Sequence, residues 1–155
     1  MPGGVPSDIY LDANATTRVL PQAADEAKAA MEELFGNPSS SHITGIRARH
    51  ILETTRSLVR SVLGAESGQI IFTSGATEAI QMGIFSTLVR VREQREPSAD
   101  QRRLLLYGAT EHKAVPQALT HWNQTLGLGN DVLEIPVDRT GALDLEFVRE
   151  HAISA

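Results

Sequence analysis

The chain has 155 residues, 41% hydrophobic and 21% charged, which suits a globular domain with a real core and gives no apolar run long enough to cross a bilayer. Its 14 basic and 19 acidic side chains leave a net charge of −5, which argues against nucleic acid as the main partner. There is no cysteine, so these residues supply no disulfide, thiolate metal site or cysteine nucleophile. The opening Met1-Pro2-Gly3-Gly4-Val5-Pro6 lacks the basic-then-apolar order of a secretory signal, so a cytoplasmic setting with no membrane partner is expected.

Residues 1–8, rich in proline and glycine, are expected to be loose. Residues 9–12 read as a short strand and 13–17 as a loop. Pro21 suits the first turn of a helix whose apolar face is Ala23, Ala24, Ala27, Ala30, Met31 and Leu34, and Gly36 with Asn37-Pro38 ends it. After a polar loop at 39–42, the spacing predicts a helix over 44–63, with Ile51, Thr54, Leu58 and Val62 on one face. Arg47, Arg49, Glu53, Arg56 and Arg60 on the other face read as a solvated surface. Ile70-Ile71-Phe72 predicts a buried parallel strand, followed by a small-residue turn and a helix over 77–94 carrying Ile80, Ile84, Leu88 and Val91. Residues 95–102, with Pro97, form a charged linker. A second strand at 104–107 leads through 108–112 into a helix over 114–126 that buries Leu119, Trp122 and Leu126. A third strand at 131–137, a turn at 138–141 and a short helix capped by Asp144, bearing Leu145, Val148 and Ala152, complete the pattern. Strands alternating with helices predict an α/β fold with a parallel sheet.

The residues from Ile70 to Ile80 carry the clearest chemistry. A helix N-terminus offers unpaired N–H groups and a partial positive charge; Gly75 and Ala76 let backbone approach a ligand, and Ser74 and Thr77 add hydroxyls. This pattern suits an anion, foremost a phosphate. The stretch has neither a Walker A lysine nor a dinucleotide Gly-x-Gly-x-x-Gly, and the plainer alternative is a Ser or Thr that merely caps the helix. His112 falls at the second strand-to-helix junction, where a parallel sheet would bring it towards residues 75–77. Its plainer role is a surface or capping residue. Asn14, Asn37 and His42 sit in segments with ordinary turn chemistry.

Four stretches, in order and spacing, resemble the cysteine desulfurase family of the class V aminotransferase group, fold-type I enzymes that use pyridoxal 5'-phosphate. They are Tyr10-Leu11-Asp12-Ala13-Asn14-Ala15-Thr16-Thr17, Gly36-Asn37-Pro38-Ser39-Ser40-Ser41-His42, Phe72-Thr73-Ser74-Gly75-Ala76-Thr77-Glu78 and Thr110-Glu111-His112-Lys113-Ala114-Val115. The resemblance implies the parallel-sheet large domain of that fold, incomplete in this chain. Residues 1–20 would be a segment that packs with the small domain in relatives, and 21–155 the first part of the coenzyme-binding domain. It implies a phosphate loop at Gly75, Ala76 and Thr77, and a ring-stacking imidazole at His112 that takes part in proton transfer. Asn14, Asn37 and His42 would border the substrate, and Lys113 would not be the Schiff-base lysine. The family's Schiff-base lysine, its pyridine-nitrogen aspartate and its sulfur-accepting cysteine lie later in sequence, so this chain alone is expected to be inactive. The implied reaction takes L-cysteine to L-alanine and leaves sulfur as an enzyme persulfide. A complementary chain or a homodimer is the expected partner, with a sulfur-acceptor protein as a further one. Selenocysteine lyase or aminotransferase activity stays open inside the family. Outside it stand a non-catalytic subunit acting as a binding scaffold and, more weakly, a nucleotide-binding domain. Ala79-Ile80-Gln81 replaces the family's usual Ser-Asn-Asn, and Arg18 its usual proline, which leaves subfamily and substrate open.

Overall fold

The computed structural model describes residues 9–94 and 103–153. The expectations for residues 1–8 and for the 95–102 linker lie outside the described residues, as does the side chain of Ala152. The chain divides into two compact units, Met1–Ile71 and Phe72–Ala155.

The first unit contains α1 (Pro21–Glu33) and α2 (Ile43–Val62). Pro21 opens α1 as expected, since its missing N–H has no partner to lose at the first turn. The apolar faces of both helices are more open than their periodicity implies: no residue of α1 is buried, and in α2 only Gly45 is. Leu58 and Val62 are exposed, and so is Thr54, while Ile51 is half-buried. Arg49 is exposed, as expected for its face, and its guanidinium also donates to the Pro38 carbonyl at 2.7 Å and the Ser40 carbonyl at 3.0 Å, tying the 37–42 loop to α2. Arg56 pairs with Glu53 one turn away at 2.6 Å. Two predicted strands do not form. Residues 9–12 and 70–72 are irregular, and Ile9, Leu11, Ile71 and Phe72 are exposed. A parallel strand is held by ladder hydrogen bonds and by cover on both faces, and the two-stranded sheet among the described residues, 104–108 with 131–135, does not include these segments.

The second unit contains α3 (Ala76–Glu93), β1 (Leu104–Gly108), α4 (Ala114–Thr125), β2 (Asp131–Ile135) and α5 (Leu145–Ile153). β1 and β2 pair in parallel, Leu104 opposite Asp131 through Gly108 opposite Ile135, with α4 as the connection between them. This is the α/β arrangement the alternating pattern predicts. The core lies here: Leu88, Ala114, Ala118, Leu128 and Ile135 are buried. The predicted stripe of α3 faces inward, with Leu88 buried and Ile80, Ile84 and Val91 half-buried. On α4 the buried positions are Ala114, Ala118 and Asn123, while Leu119 and Trp122, and Leu126 just past its end, stay half-buried. Trp122 packs against Phe85 of α3 with ring centroids 4.5 Å apart, and its indole N–H donates to the Gln81 side chain at 2.6 Å. A pair of buried asparagines closes the end of α4. Asn123 donates to the Asn130 carbonyl at 2.8 Å and accepts from the Asn130 amide at 3.1 Å, while the Asn130 side chain accepts from the Arg103 amide at 3.0 Å. At the far end, Asp144 caps α5 as predicted, accepting from the amides of Glu146 and Phe147, each at 3.0 Å.

Candidate functional site

The segment entering α3 is built as a helix start with open donors. Ser74, Gly75, Ala76 and Thr77 are all exposed. The first intrahelical bond runs from the Ala79 amide to the Gly75 carbonyl at 3.2 Å, so the amides of Ala76 and Thr77 have no partner among the described residues. Gly75 is extended, and the space where a Cβ would stand is empty to 4 Å. Ser74 is not an open donor. Its amide and its hydroxyl both donate to the same Glu78 oxygen, at 2.6 and 2.7 Å. These bonds, the hydroxyl's first, hold the Glu78 carboxyl below the usual carboxylate range. Thr73 is likewise turned inward, donating to the Gly75 carbonyl at 3.0 Å. The donors without a partner among the described residues thus include the amides of Ala76 and Thr77 and the Thr77 hydroxyl.

His112 sits at the other strand-to-helix junction of the same unit. β1 ends at Gly108, whose carbonyl accepts from the Glu111 amide at 3.0 Å, and the His112 carbonyl accepts from the Val115 amide at 2.8 Å as α4 begins. The imidazole is exposed, and its Nδ1 accepts from the Ala114 amide at 3.2 Å. His112 thus does serve as a helix-start acceptor, with its outer edge left open. Lys113 beside it is exposed. The helices that these two junctions begin, α3 and α4, pack on each other through Trp122, Phe85 and Gln81.

The three weaker candidates belong to the first unit. Asn14 is exposed in a turn closed by the Asp12 carbonyl, which accepts from the Ala15 amide at 3.1 Å. The Tyr10 hydroxyl braces the same turn against the carbonyls of Asp12 and Thr16, at 2.8 and 2.9 Å. A cleft of about 660 Å³ lined by Tyr10, Thr16, Thr17 and Arg18 opens beside it. Asn37 accepts from the Ser39 amide at 2.9 Å, an Asx turn. His42 caps α2, its Nδ1 accepting from the Gly45 amide at 3.4 Å. All three are in ordinary turn or cap roles, so their local geometry is explained without a ligand.

A loop of this sequence at a helix N-terminus, followed one strand later by a helix-start histidine, is covered by one family model. The aminotransferase class-V model matches residues 9–154. The chain belongs to the aminotransferase class-V family. Its similarity to curated relatives is spread along the chain. It is 39% identical over 142 residues to a cysteine desulfurase of Cereibacter sphaeroides, covering 91% of this chain and 34% of that protein. It is 45% identical over 107 residues to a cysteine desulfurase of Frankia sp. (strain EuIK1), covering 69% and 24%. A selenocysteine lyase of Xenopus tropicalis is 33% identical over 150 residues, covering 93% and 34%. The chain spans about a third of the length of the curated relatives it matches. Within this class-V chain, sequence reasoning missed Glu78 as the residue that ties the loop back. The signal was present: a serine four residues before a glutamate at a helix start, close to a capping box in form.

Proposed function

We propose that this chain is the N-terminal portion of a pyridoxal 5'-phosphate-dependent cysteine desulfurase, and that it supplies the phosphate cradle and the ring-facing histidine. The observation that carries the reading is the set of unpaired donors at the start of α3, the amides of Ala76 and Thr77, within a chain of the class-V family. The residues fit the coenzyme's phosphate: the donors are unpaired, Gly75 leaves space beside them, and the helix dipole favours an anion. His112 offers a flat ring on the exposed side of the neighbouring helix start.

In this reading Ala76, Thr77 and the Gly75 backbone anchor the phosphate, and Glu78 holds Ser74 away from it. When bound, the coenzyme supplies an electron sink for bond changes at the substrate amino acid. Overall, L-cysteine and an enzyme thiol become L-alanine and an enzyme persulfide, so the sulfur moves without any outside oxidant. The Schiff-base lysine, the pyridine-nitrogen aspartate and the sulfur-accepting cysteine belong to polypeptide outside these 155 residues, and this chain alone is inactive. Asn14, Asn37 and His42 lie near the substrate in the complete protein. Residues 1–20 pack with the small domain there, and 21–155 begin the coenzyme-binding domain. The partner is a complementary chain or a second copy, a sulfur-acceptor protein takes the product sulfur, and the setting is cytoplasmic. The similarity to a selenocysteine lyase supports a second substrate reading, selenocysteine in place of cysteine.

The test is to express these residues within, or together with, the polypeptide that completes them. Alanine release is then followed with cysteine and with selenocysteine. Thr77→Ala is expected to weaken retention of the coenzyme about tenfold, the value of one charge-assisted hydrogen bond. No alanine from either substrate, or unchanged retention in Thr77→Ala, defeats the reading.

A further inference from the structure

We propose that the cavity between the second half of α2 and residues 69–71 binds a single carboxylate carried on a short aliphatic stem, with Arg60 as the cation that holds it. The site lies outside the coenzyme reading, and only the source of the carboxylate touches that reading.

The cavity follows from the way α2 ends. Gly64 takes a left-handed φ of 63°, the Ala65 amide donates to the Arg60 carbonyl at 3.0 Å, and the Gly68 amide donates to the Ala65 carbonyl at 3.0 Å. The chain thereby returns past the helix. Glu53, Arg56, Arg60, Gln69, Ile70 and Ile71 then line a cavity of about 400 Å³, all within the first unit. That volume is in the range of small-molecule pockets.

The charge of this lining is unbalanced. Arg56 is paired with Glu53 at 2.6 Å. Arg60 is half-buried, where its face predicts a solvated residue, and it has no carboxylate within ion-pair distance among the described residues. Its Nη2 donates to the Ser57 hydroxyl at 3.2 Å, and its Nε is buried with no partner among the described residues. The negative end of the helix dipole favours an arginine in this last turn, but it brings no acceptor to the buried Nε. A half-buried cation without a counterion is unfavourable, and a carboxylate in the cavity relieves this by meeting the planar guanidinium. One positive charge in excess matches one negative charge. Glu53, exposed on the same lining, opposes a second, which selects a carboxylate over a phosphate dianion. Ile70 and Ile71, the latter 63% exposed, supply apolar surface for the stem. A free short-chain acid and the side chain of a glutamate in a covering polypeptide present this same chemistry.

The experiment titrates the full chain, labelled with nitrogen-15, with sodium butyrate, sodium acetate and inorganic phosphate at constant ionic strength. The amide signals of Ile70 and Ile71 and the Arg60 Nε–H signal are followed. Saturable shifts are expected, with butyrate about fivefold tighter than acetate, as for two methylenes partly buried, and tighter than phosphate. Arg60→Gln is expected to weaken butyrate at least tenfold, Glu53→Gln to tighten it about threefold, and Arg47→Gln, on an exposed part of α2, to leave it unchanged. Shifts that never saturate, equal binding of acetate and butyrate, or butyrate binding retained in Arg60→Gln overturn the inference. Should Arg60→Gln fail to fold, saturation and the order of the three anions in the wild-type chain decide. Repeating the titration on the protein completed as in the test above separates the sources. Butyrate shifts that persist there assign the site to a free acid. Shifts lost there, with assembly weakened by Arg60→Gln, assign it to a side chain of the completing polypeptide. The first titration uses this chain alone, so a failure to bind the coenzyme strikes the proposed function and leaves this result standing.

Discussion

Glu78 and Asp138 show how single carboxylates shape local order here. Each gathers donors from its own turn: Glu78 from the hydroxyl and then the amide of Ser74, Asp138 from the Thr140 hydroxyl, then the amides of Thr140 and Ala142. Both are held below the usual carboxylate range by these bonds. A carboxylate lowered in the folded state adds stability above its unfolded value and loses it as pH falls through the folded one. The urea midpoint is therefore expected to drop on acidification below about pH 4, and less steeply in Glu78→Gln and Asp138→Asn. Asn123 belongs to the same scale. Its two bonds to Asn130 are buried, so Asn123→Ala removes both and is expected to cost about 1–3 kcal/mol in chemical denaturation.

At the scale of elements, the 37–45 turn is packed backbone against backbone. A Cβ on Gly45 would stand 2.6 Å from the Asn37 carbonyl oxygen and 2.7 Å from the Ser40 carbonyl oxygen, closer than any real Cβ sits. Those two carbonyls are part of the loop that Arg49 ties to α2. Gly45→Ala is expected to destabilise the first unit by about 1–3 kcal/mol, the usual cost of overpacking. Circular dichroism during urea unfolding checks it, and a midpoint equal to wild type would show that the turn yields. In the second unit the α3–α4 contact does the corresponding work, with Trp122 against Phe85 and Gln81.

At the scale of the whole molecule, large apolar side chains stay uncovered in both units. Ile9, Leu11, Met31 and Val62 are 83, 88, 72 and 76% exposed in the first, and Phe72 and Leu145 are exposed in the second. Scattered exposed residues are normal, but this many uncovered, with Met31 and Val62 among them on helix faces, fit the partner surface of the proposed function. In the proposed function a complementary polypeptide, or a second copy, would supply it. Sedimentation of the chain alone is expected to show species heavier than its 16.8 kDa, and co-expression with the completing polypeptide is expected to convert these into one defined complex. A stable monomer that binds no hydrophobic dye would count against this.

The sequence by itself determined the helices and their ends. Pro21 opens α1, the α3 stripe reads at helical spacing, and Gly127, with a left-handed φ of 64°, stops α4 where the pattern predicts. It also determined the order of motifs that the class-V model matches, because these depend on residue type along the chain. Ile70-Ile71-Phe72 had every local mark of a strand and did not become one. Only tertiary structure decides that, since a strand exists through hydrogen bonds to a neighbour that local sequence does not contain. The same holds for the guanidinium of Arg49 over the 37–42 loop and the Trp122 indole on Gln81. Each turns on where a side chain is aimed once the backbone has closed, and residue spacing carries no direction in space.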